Sequence, residues 1–370
     1  MHSIKEMNIA IVGGTPVEKH NNAIATYRNG NIMQLTIRTT GCKFNKSGNC
    51  SMCNYGIGQE PDKNKILAEL DNIIQECVNG GIDQILLGTY GSFLDDLELS
   101  VDIQNSVLEA VGKSSIKRVI IETHYTTINS NNLKRLKELL GSKSIILESG
   151  FETSNIEYRQ KVLVKEIDNN KFKQAIDLVH KNGMSITANV LVGLPFMSAS
   201  MQVNDCVSAI SWLFKNNVDN VVIFPVNIHP NTLFYEMYKT KEFDLMSLWI
   251  PIETLKRVKS KQLGQIYISW FGDRVLENSN GEQTVPIGGC DECTPKLQEF
   301  IKRFNITIGY KKRLELLNEL DKLDEQLKCT CHKEVCGFLK NKAHIDTNFK
   351  YKVMHMVDKQ LFGEEETQSN

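Results

Sequence analysis

The sequence predicts an α/β protein with a partial or full (β/α) barrel of parallel strands and a smaller Cys-containing C-terminal region. Short, β-branched apolar runs alternate with amphipathic stretches from about residue 32, and this rhythm stops after about residue 275. Strand–helix alternation with right-handed crossovers gives a parallel sheet. Six or more such units that curl form a barrel, whose chemistry lies where its strands end. An open doubly wound sheet is the competing arrangement.

The strand and helix signals follow each other in order along the chain. Between the first two predicted strands, apolar residues recur every three or four positions from Ile66 to Val78, and Gly80 follows them. This pattern is typical of one face of an amphipathic helix that ends at a glycine. The predicted strands are Met33–Thr39, Gln84–Gly88, Arg118–Thr123, Ser144–Gly150, Ser185–Val192, Asn220–Val226 and Gln265–Trp270.

The same pattern divides the chain into four parts. Residues 1–31 form an N-terminal extension, and residues 32–275 form the barrel. Residues 276–362 form a Cys-rich, helical C-terminal region with a charged helix over 311–328. Residues 363–370 have the polar composition of a disordered tail.

Composition and charge narrow the class of protein. Of the 370 residues, 41% are hydrophobic and 24% are charged, which excludes collagenous, coiled-coil and wholly disordered chains. The net charge of -1 lacks the basic excess that phosphate binding favours. The sequence has no apolar stretch of about 20 residues and no apolar signal-peptide core. We therefore expect a cytoplasmic protein without a membrane partner, whose clustered cysteines are metal ligands or reactive thiols.

Three of the ten cysteines lie in one loop directly after the first predicted strand. Cys42, Cys50 and Cys53 have the spacing C-x7-C-x2-C. Each could bind a different iron of a [4Fe–4S] cluster, which normally takes four thiolates. One iron would then stay open, and the amine and carboxylate of S-adenosylmethionine (SAM) could complete its coordination. A zinc knuckle with a fourth ligand such as His124 is the alternative, but the position at a strand end favours the cluster.

This loop, with motifs that follow later strands, resembles the radical SAM superfamily, within its Elp3-like branch and more closely the radical SAM subunits of archaeosine synthases. The chain departs from the common superfamily pattern twice, because seven residues instead of three separate Cys42 from Cys50, and Met52 replaces a frequent aromatic residue. The resemblance spans roughly residues 32–295 and rests on 38–42 (RTTGC), 53–56 (CNYG), 91–95 (GSFLD), 150–153 (GFET), 225–227 (PVN) and 290–293 (CDEC).

The resemblance implies a set of SAM-binding residues at the strand ends. It places Gly91 and Ser92 beside the methionyl amine, and the segments of Asn189 and Asn227 around the adenine. Carboxylates such as Glu122 and Glu152 could accept hydrogen bonds from the amine or the ribose. Taken singly, each of these residues equally fits an ordinary turn, a helix cap or a solvated acid. The predicted cofactor-binding residues are Cys42, Cys50, Cys53, Tyr55, Gly91, Ser92, Glu122, Glu152, Asn189 and Asn227.

Five further cysteines follow the barrel and form a second candidate metal site. Their patterns are C-x2-C and C-x-C-x4-C, and five thiols exceed one tetrahedral site by one. A structural zinc, an auxiliary iron–sulfur cluster or a soft substrate atom could bind there, and zinc and cluster are nearly equally supported. The candidate ligands are Cys290, Cys293, Cys329, Cys331 and Cys336.

Together these features predict a radical SAM enzyme that reductively cleaves SAM at a [4Fe–4S] cluster and performs radical chemistry on an organic substrate. The resemblance implies a modified nucleoside in tRNA, but the near-neutral charge favours a small metabolite or natural-product precursor. The expected electron donor is a protein such as flavodoxin or ferredoxin. The competing hypothesis is a zinc-stabilised, non-catalytic binding or regulatory protein that uses the barrel as a scaffold.

Overall fold

In a computed structural model, the chain folds around one curled, mostly parallel β-sheet. The structure describes residues 15–16, 23–29, 32–56, 58–165, 167–243, 245, 247–269, 284–285 and 287–340. Within these residues the sheet has nine strands, which lie side by side in the order of the sequence. They are β1 (Thr15–Pro16), β2 (Ile24–Asn29), β3 (Ile32–Ile37), β4 (Gln84–Gly88), β5 (Arg118–Glu122), β6 (Ser144–Glu152), β7 (Ser185–Val192), β8 (Asn220–Pro225) and β9 (Ile266–Ile268).

The strand order confirms the barrel type of fold. Strands β3 to β9 pair in parallel, each with its neighbour in sequence. A doubly wound sheet would reverse its strand order at a switch point, and no reversal occurs among the described strands. Within the described residues no ladder joins β9 to β1, so the barrel is partial.

Helices connect the strands and cover the outer face of the sheet. Several begin at side-chain caps; Asp62, for example, accepts hydrogen bonds from the amides of Asn64 and Lys65. The helices are α1 (Lys43–Lys46), α2 (Lys63–Asn79), α3 (Val101–Lys113), α4 (Ser130–Leu140), α5 (Ile156–Lys161), α6 (Asn169–Lys181), α7 (Ala199–Lys215), α8 (Leu233–Lys239), α9 (Trp249–Arg257), α10 (Cys293–Ile306), α11 (Tyr310–Gln326) and α12 (Cys331–Lys340), with 3-10 turns at Tyr125–Thr127 and Ser260–Gln265.

Part of the predicted N-terminal extension adds to the sheet. Strand β2 runs antiparallel to β3, with Ile24 opposite Ile37, and β1 pairs with β2. The Glu69 carboxylate of α2 accepts hydrogen bonds from the amides of Ala23 and Ile24, both at 2.9 Å. These contacts fix β2 as an antiparallel strand beside the parallel part of the sheet, which the strand–helix rhythm did not predict.

Side chains alternate between the two faces of the strands, and along the concave face an apolar layer is followed by a polar one. On β4, Ile85 and Leu87 join the large core under the helices, whereas Leu86 faces the concave side. Leu86 packs there with side chains of β5, β6, β8 and β9. Two residues beyond the inward apolar positions, the same face of β5 and β6 carries Glu122 and Glu148. The inner face therefore has an apolar floor and a polar layer at the carboxyl ends of the strands.

Some sequence predictions concern residues outside the described part of the chain. These are residues 1–14, 17–22 and 30–31 of the N-terminal extension, residues 270–275 of the barrel, residues 276–283, 286 and 341–362 of the C-terminal region, and the predicted disordered tail at 363–370. Across the helices that the structure describes, none combines the length and apolar character needed to cross a membrane.

Candidate active site

A cavity of about 460 Å³ lies at the carboxyl ends of the strands. Its volume falls in the range of small-molecule sites, about 300–1,000 Å³. Of the ten predicted cofactor-binding residues, Ser92 lies outside the cavity lining. The other nine line this one cavity: Cys42, Cys50, Cys53, Tyr55, Gly91, Glu122, Glu152, Asn189 and Asn227.

The three-cysteine loop is closed on itself by backbone and side-chain hydrogen bonds. The single turn of α1 accommodates the long interval after Cys42. The Cys42 amide donates to the carbonyl of Tyr55 at 2.7 Å. Asn45 donates from Nδ2 to the Cys53 carbonyl at 2.7 Å, and its Oδ1 accepts from the Gly56 amide at 2.7 Å. These bonds hold Cys42 and Cys53 at the two ends of one compact turn.

The middle of the loop is attached to the segment that follows α5. The Cys50 amide donates to the Val164 carbonyl at 3.2 Å, and the Ser51 amide donates to the Leu163 carbonyl at 3.1 Å. Cys50 has φ of 63°, in the left-handed region that few non-glycine residues adopt. This attachment brings Lys165 to the thiols.

Lys165 supplies a partly buried positive charge beside the loop. Its Nζ lies 2.6 Å from Oε1 of Glu152. Burial opposes the charged form, but the Glu152 carboxylate and the Cys50 thiolate raise the pKa of Lys165 above its ordinary value. The pKa of Cys50 is lowered to about 7, chiefly because the Cys53 thiol donates a hydrogen bond to it and also because Lys165 is close. The site therefore favours a first thiolate at Cys50.

A second buried carboxylate, Glu98, aligns the turn after β4 with the turn after β3. It accepts hydrogen bonds from Thr39 Oγ1 at 2.9 Å, the Gly91 amide at 2.8 Å and the Ser92 amide at 2.9 Å. A Cβ at Gly91 would lie 2.6 Å from Sγ of Cys42. Only a glycine therefore lets the turn approach the first cysteine this closely.

Ser92 lies behind the cavity wall and connects two of the turns that form it. Its hydroxyl lies 2.7 Å from Oγ1 of Thr123 and accepts a hydrogen bond from the His124 amide at 3.0 Å. The side chain is 4% exposed. In this structure Ser92 joins the turns after β4 and β5 instead of facing the cavity.

Acidic and amide side chains form the polar layer on β5, β6 and β7. Glu122 and Glu148 are register partners, and Asn189 Nδ2 donates to Oε1 of Glu148 at 3.0 Å. Burial, and then the charge of Glu122, raises the pKa of Glu148 to about 8. Oδ1 of Asn189 and Oγ1 of Thr89 are buried and have no hydrogen-bond partner among the described residues. The cavity wall thus keeps polar atoms whose protein partners are missing.

Aromatic side chains form another part of the cavity wall. Tyr55 stacks on Tyr90 with ring centroids 5.9 Å apart and lies 5.9 Å from the His229 ring. Burial lowers the pKa of His229 to about 4. Burial, followed by the charge of Lys165, lowers the pKa of His124 to about 3. Both imidazoles are therefore neutral near pH 7.

The cavity fits an open [4Fe–4S] cluster with SAM. Three thiols from one loop line it, and Gly91 lacks the Cβ that would lie 2.6 Å from Sγ of Cys42. Among the described residues, no group of three possible ligand atoms within 4.8 Å of one another includes His124. The fourth ligand that a zinc knuckle would need is therefore not supplied by His124.

Residues 36–202 match the family model of the radical SAM superfamily. This segment contains the three-cysteine loop, strands β4 to β7 and Glu98. The matched residues make up somewhat less than half of the chain, and they carry its similarity to the radical SAM superfamily.

Curated relatives extend the similarity beyond the radical SAM domain. An uncharacterized protein of Methanocaldococcus jannaschii is 27% identical over 295 residues, which cover 75% of this chain and 77% of that protein. The archaeosine synthase subunit beta of Methanosarcina acetivorans is 22% identical over 279 residues, covering 74% of this chain and 78% of that protein. The subunit of the same name from Thermococcus kodakarensis is 25% identical over 63% of this chain and 73% of that protein.

Among solved structures, the N-terminally truncated Elp3 of Methanocaldococcus infernus superposes with a TM-score of 0.47. It is 16% identical and the superposition covers 66% of this chain and 61% of that chain.

The match of residues 36–202 to the radical SAM model does not favour the hypothesis of a non-catalytic zinc protein.

The C-terminal cysteines separate into two groups. The Sγ atoms of Cys290, Cys293, Cys329 and Cys331 all lie within 4.8 Å of one another. Cys336 lies apart from them, with its Sγ 3.3 Å from Nε2 of His332. His332 in turn contacts Oε1 of Glu253 at 2.9 Å. The spacing of the five cysteines did not reveal which one would lie outside the group of four.

The sequence analysis missed Glu98 and Lys165. Glu98 lies 59 residues from the Thr39 hydroxyl that it accepts from, and Lys165 lies 13 residues from Glu152. The only local signal was that each is a charged residue near a strand end. That signal does not distinguish either residue from a solvated side chain.

Proposed function

We propose that this protein is a radical SAM enzyme that holds a [4Fe–4S] cluster through Cys42, Cys50 and Cys53. The enzyme reductively cleaves SAM and starts radical chemistry on an organic substrate. One observation carries the proposal: three thiols of one loop line the same strand-end cavity as Gly91 and the polar layer. Three protein thiolates leave one iron of such a cluster for a small chelating ligand.

When bound, the cluster supplies an electron to SAM, while the protein supplies binding and orientation. One of the three thiols and one nearby cation suit this role. The Cys50 thiolate is accessible near pH 7, because its pKa is about 7. The partly buried Lys165 ammonium offsets the negative charge that three thiolates bring into the cavity.

Polar groups around the rest of the cavity are assigned to SAM. Gly91 lets the backbone approach the cluster, and Glu98 holds that backbone by accepting a hydrogen bond from the Gly91 amide. Glu122 and Glu152 provide carboxylates that accept from the amine or the ribose. The unpaired Oδ1 of Asn189 is an acceptor for the nucleoside, and Tyr55 and Asn227 complete the wall.

We further propose a small organic molecule as the substrate, and a one-electron donor such as flavodoxin or ferredoxin as the partner. The net charge of -1 supports the small molecule, because RNA binding favours a basic surface. A reducing, cytoplasmic setting suits ten cysteines that are all free. Two relatives named archaeosine synthase subunit beta support tRNA as the second candidate.

The cluster assignment is tested by anaerobic reconstitution of the full chain with iron and sulfide. Wild type should bind about four irons and four sulfides at the loop and should form 5′-deoxyadenosine from SAM with a reductant. The triple variant Cys42→Ala, Cys50→Ala, Cys53→Ala should lose both properties. Cys77→Ala changes a buried cysteine on α2 and should keep them. Equal cluster absorbance and SAM cleavage in the triple variant and wild type would exclude the assignment.

The substrate class is tested by filter binding of tRNA across a salt series. A small-molecule enzyme should bind tRNA weakly and without a steep salt dependence. If log K falls linearly and steeply with log salt, the protein neutralises several phosphates, and the small-molecule proposal is wrong. This experiment leaves the cluster assignment untouched.

A further inference from the structure

We propose that Cys290, Cys293, Cys329 and Cys331 bind a single zinc ion without sulfide. This ion fastens α12 and the strap, residues 284–285 and 287–290, to the barrel. The site is separate from the cavity, and the proposal does not depend on the function proposed above.

The spread of the thiols matches one ion. Zinc–sulfur bonds of about 2.3 Å in a tetrahedron place the sulfurs about 3.8 Å apart. Sγ of Cys290 and Sγ of Cys293 are 3.7 Å apart, and all four Sγ atoms lie within 4.8 Å of one another. In an iron–sulfur cubane each thiolate binds a different iron, so the cluster holds the sulfurs farther apart. The four thiols leave no room for a cluster between them.

The three-cysteine loop provides an internal reference for this argument. Within the described residues, groups of three or more possible ligand atoms within 4.8 Å occur only at the four C-terminal cysteines and at Glu253, His332 and Cys336. In the loop, Cys50 and Cys53 form a hydrogen-bonded pair, but the three thiols do not all lie within 4.8 Å of one another. The same chain therefore contains four cysteines whose Sγ atoms all lie within 4.8 Å of one another, and three loop cysteines whose Sγ atoms do not.

A pair of disulfides does not explain the quartet. A disulfide needs sulfurs about 2.0 Å apart, whereas those of Cys290 and Cys293 are 3.7 Å apart. All four cysteines are free thiols. Soft thiolates in a tetrahedral arrangement of four are typical of zinc.

The local backbone is shaped around the quartet. Cys293 and Cys331 are the first residues of α10 and α12, where the helix dipole favours thiolates. A Cβ at Gly289 would lie 2.8 Å from Sγ of Cys293, so the chain needs a glycine there. The Lys328 amide donates to Oε1 of Glu292 at 3.0 Å, which draws the two cysteine pairs together.

Cys336 is the fifth cysteine and has different neighbours. It lies on α12, one turn beyond His332, and contacts the His332 ring at 3.3 Å. That ring stacks on Trp249 with centroids 4.1 Å apart. Cys336 is therefore a matched control for Cys331 on the same helix.

The ion would fasten the strap to the mouth of the barrel. Gly288 lies beside Ser247 in a bridge, and its carbonyl accepts from the Leu248 amide at 2.7 Å. Val285 exchanges two backbone hydrogen bonds of 2.9 Å with Ile228. Thr284 reaches the cavity wall, with Oγ1 3.4 Å from Nδ1 of His229. Removal of the ion should loosen this strap first.

The test uses full-length protein in the Cys42→Ala, Cys50→Ala, Cys53→Ala background, where the loop binds no iron. Zinc, iron and acid-labile sulfide are measured after purification. We expect about one zinc per chain and no sulfide. Adding Cys331→Ser should remove the zinc, whereas adding Cys336→Ser should leave it.

A second measurement covers the case in which Cys331→Ser fails to fold. Cobalt introduced into the intact background should give the thiolate-to-metal absorption of a tetrahedral four-sulfur site. A strong chelator should lower the melting temperature, and stoichiometric zinc should restore it. Sulfide with about four irons, absence of bound metal, or zinc lost equally in Cys336→Ser would each overturn the proposal.

Discussion

The two cysteine sites of this protein differ in the number of thiols, in their spread and in their surroundings. The loop site offers three thiols that line a 460 Å³ cavity beside buried charges. The C-terminal site offers four thiols within 4.8 Å, at the first turns of two helices. Three spread thiols leave a coordination position open for a ligand, whereas four close thiols saturate one ion. The comparison shows how similar residue types build an open site and a closed site in one chain.

Metal removal should separate the two sites most strongly. Treatment of reconstituted wild type with ferricyanide, followed by desalting without a chelator, should strip the loop iron and reduce SAM cleavage to background. About one zinc per chain should remain, because zinc has no redox chemistry and its four thiolates are fully used. Metal analysis and product detection before and after treatment measure both effects. Parallel loss of zinc and iron would remove the distinction between an open and a closed site.

Lys165→Met should produce the next largest effect. The variant leaves the buried Glu152 carboxylate without its partner at 2.6 Å, which typically costs about 3–5 kcal/mol. Urea denaturation of the metal-free loop protein measures the change. The variant should also assemble the loop cluster poorly and keep its zinc.

Lys161→Met is the matched control for Lys165→Met. Lys161 pairs with Glu157 at 3.3 Å on the surface of α5, and such pairs contribute about 0.3–0.5 kcal/mol. Equal destabilisation of the two variants would show that Lys165 has no special role beside the thiols.

Gly91→Ala should have a smaller effect that is confined to the loop site. The new Cβ would meet Sγ of Cys42 at 2.6 Å and Oε2 of Glu98 at 2.7 Å. Overpacking of this kind costs about 1–3 kcal/mol, and loop iron content should fall. Gly337→Ala on α12, where a Cβ would meet nothing within 4 Å, should be neutral or stabilising. Normal iron loading in Gly91→Ala would contradict the close approach.

Acidification should have the smallest effect, a gradual loss of unfolding free energy as the pH falls. The pKa of His124 is about 3 in the folded protein and 6.5 ordinarily. Between these values the unfolded chain binds a proton that the folded chain does not, so stability falls as pH falls. The slope is up to about 1.4 kcal/mol per pH unit for one group.

The variant His124→Asn isolates the contribution of His124 to the pH dependence of stability. From about pH 6 to about pH 5 wild type should lose roughly 1 kcal/mol more unfolding free energy than the variant. His229 titrates in the same direction in both proteins, so its contribution cancels in the difference. Identical pH slopes would mean that His124 becomes protonated in the folded state.

Much of the barrel could be predicted because its signals are local. The predicted strands Gln84–Gly88 and Ser185–Val192 match β4 and β7 residue for residue, since β-branched runs next to amphipathic helices have few alternatives. Of the seventh predicted strand, Gln265–Trp270, residues Ile266–Ile268 form β9, and Trp270 lies outside the described residues. Strand β2 was not predicted, because its pairing with β3 and its contact with Glu69 are not encoded in a local period.

By itself, the sequence determined the parallel strand–helix core, the three-cysteine loop at the end of a strand and the presence of surplus C-terminal thiols. These features follow from periodicity and spacing within a few residues. Tertiary structure alone decided that Glu98 fixes the Gly91 turn, that Lys165 reaches Cys50 and that Cys336 stands apart from the other four thiols. The physical reason is that such contacts join residues from different strand–helix units, and only the curled sheet brings those units to one rim.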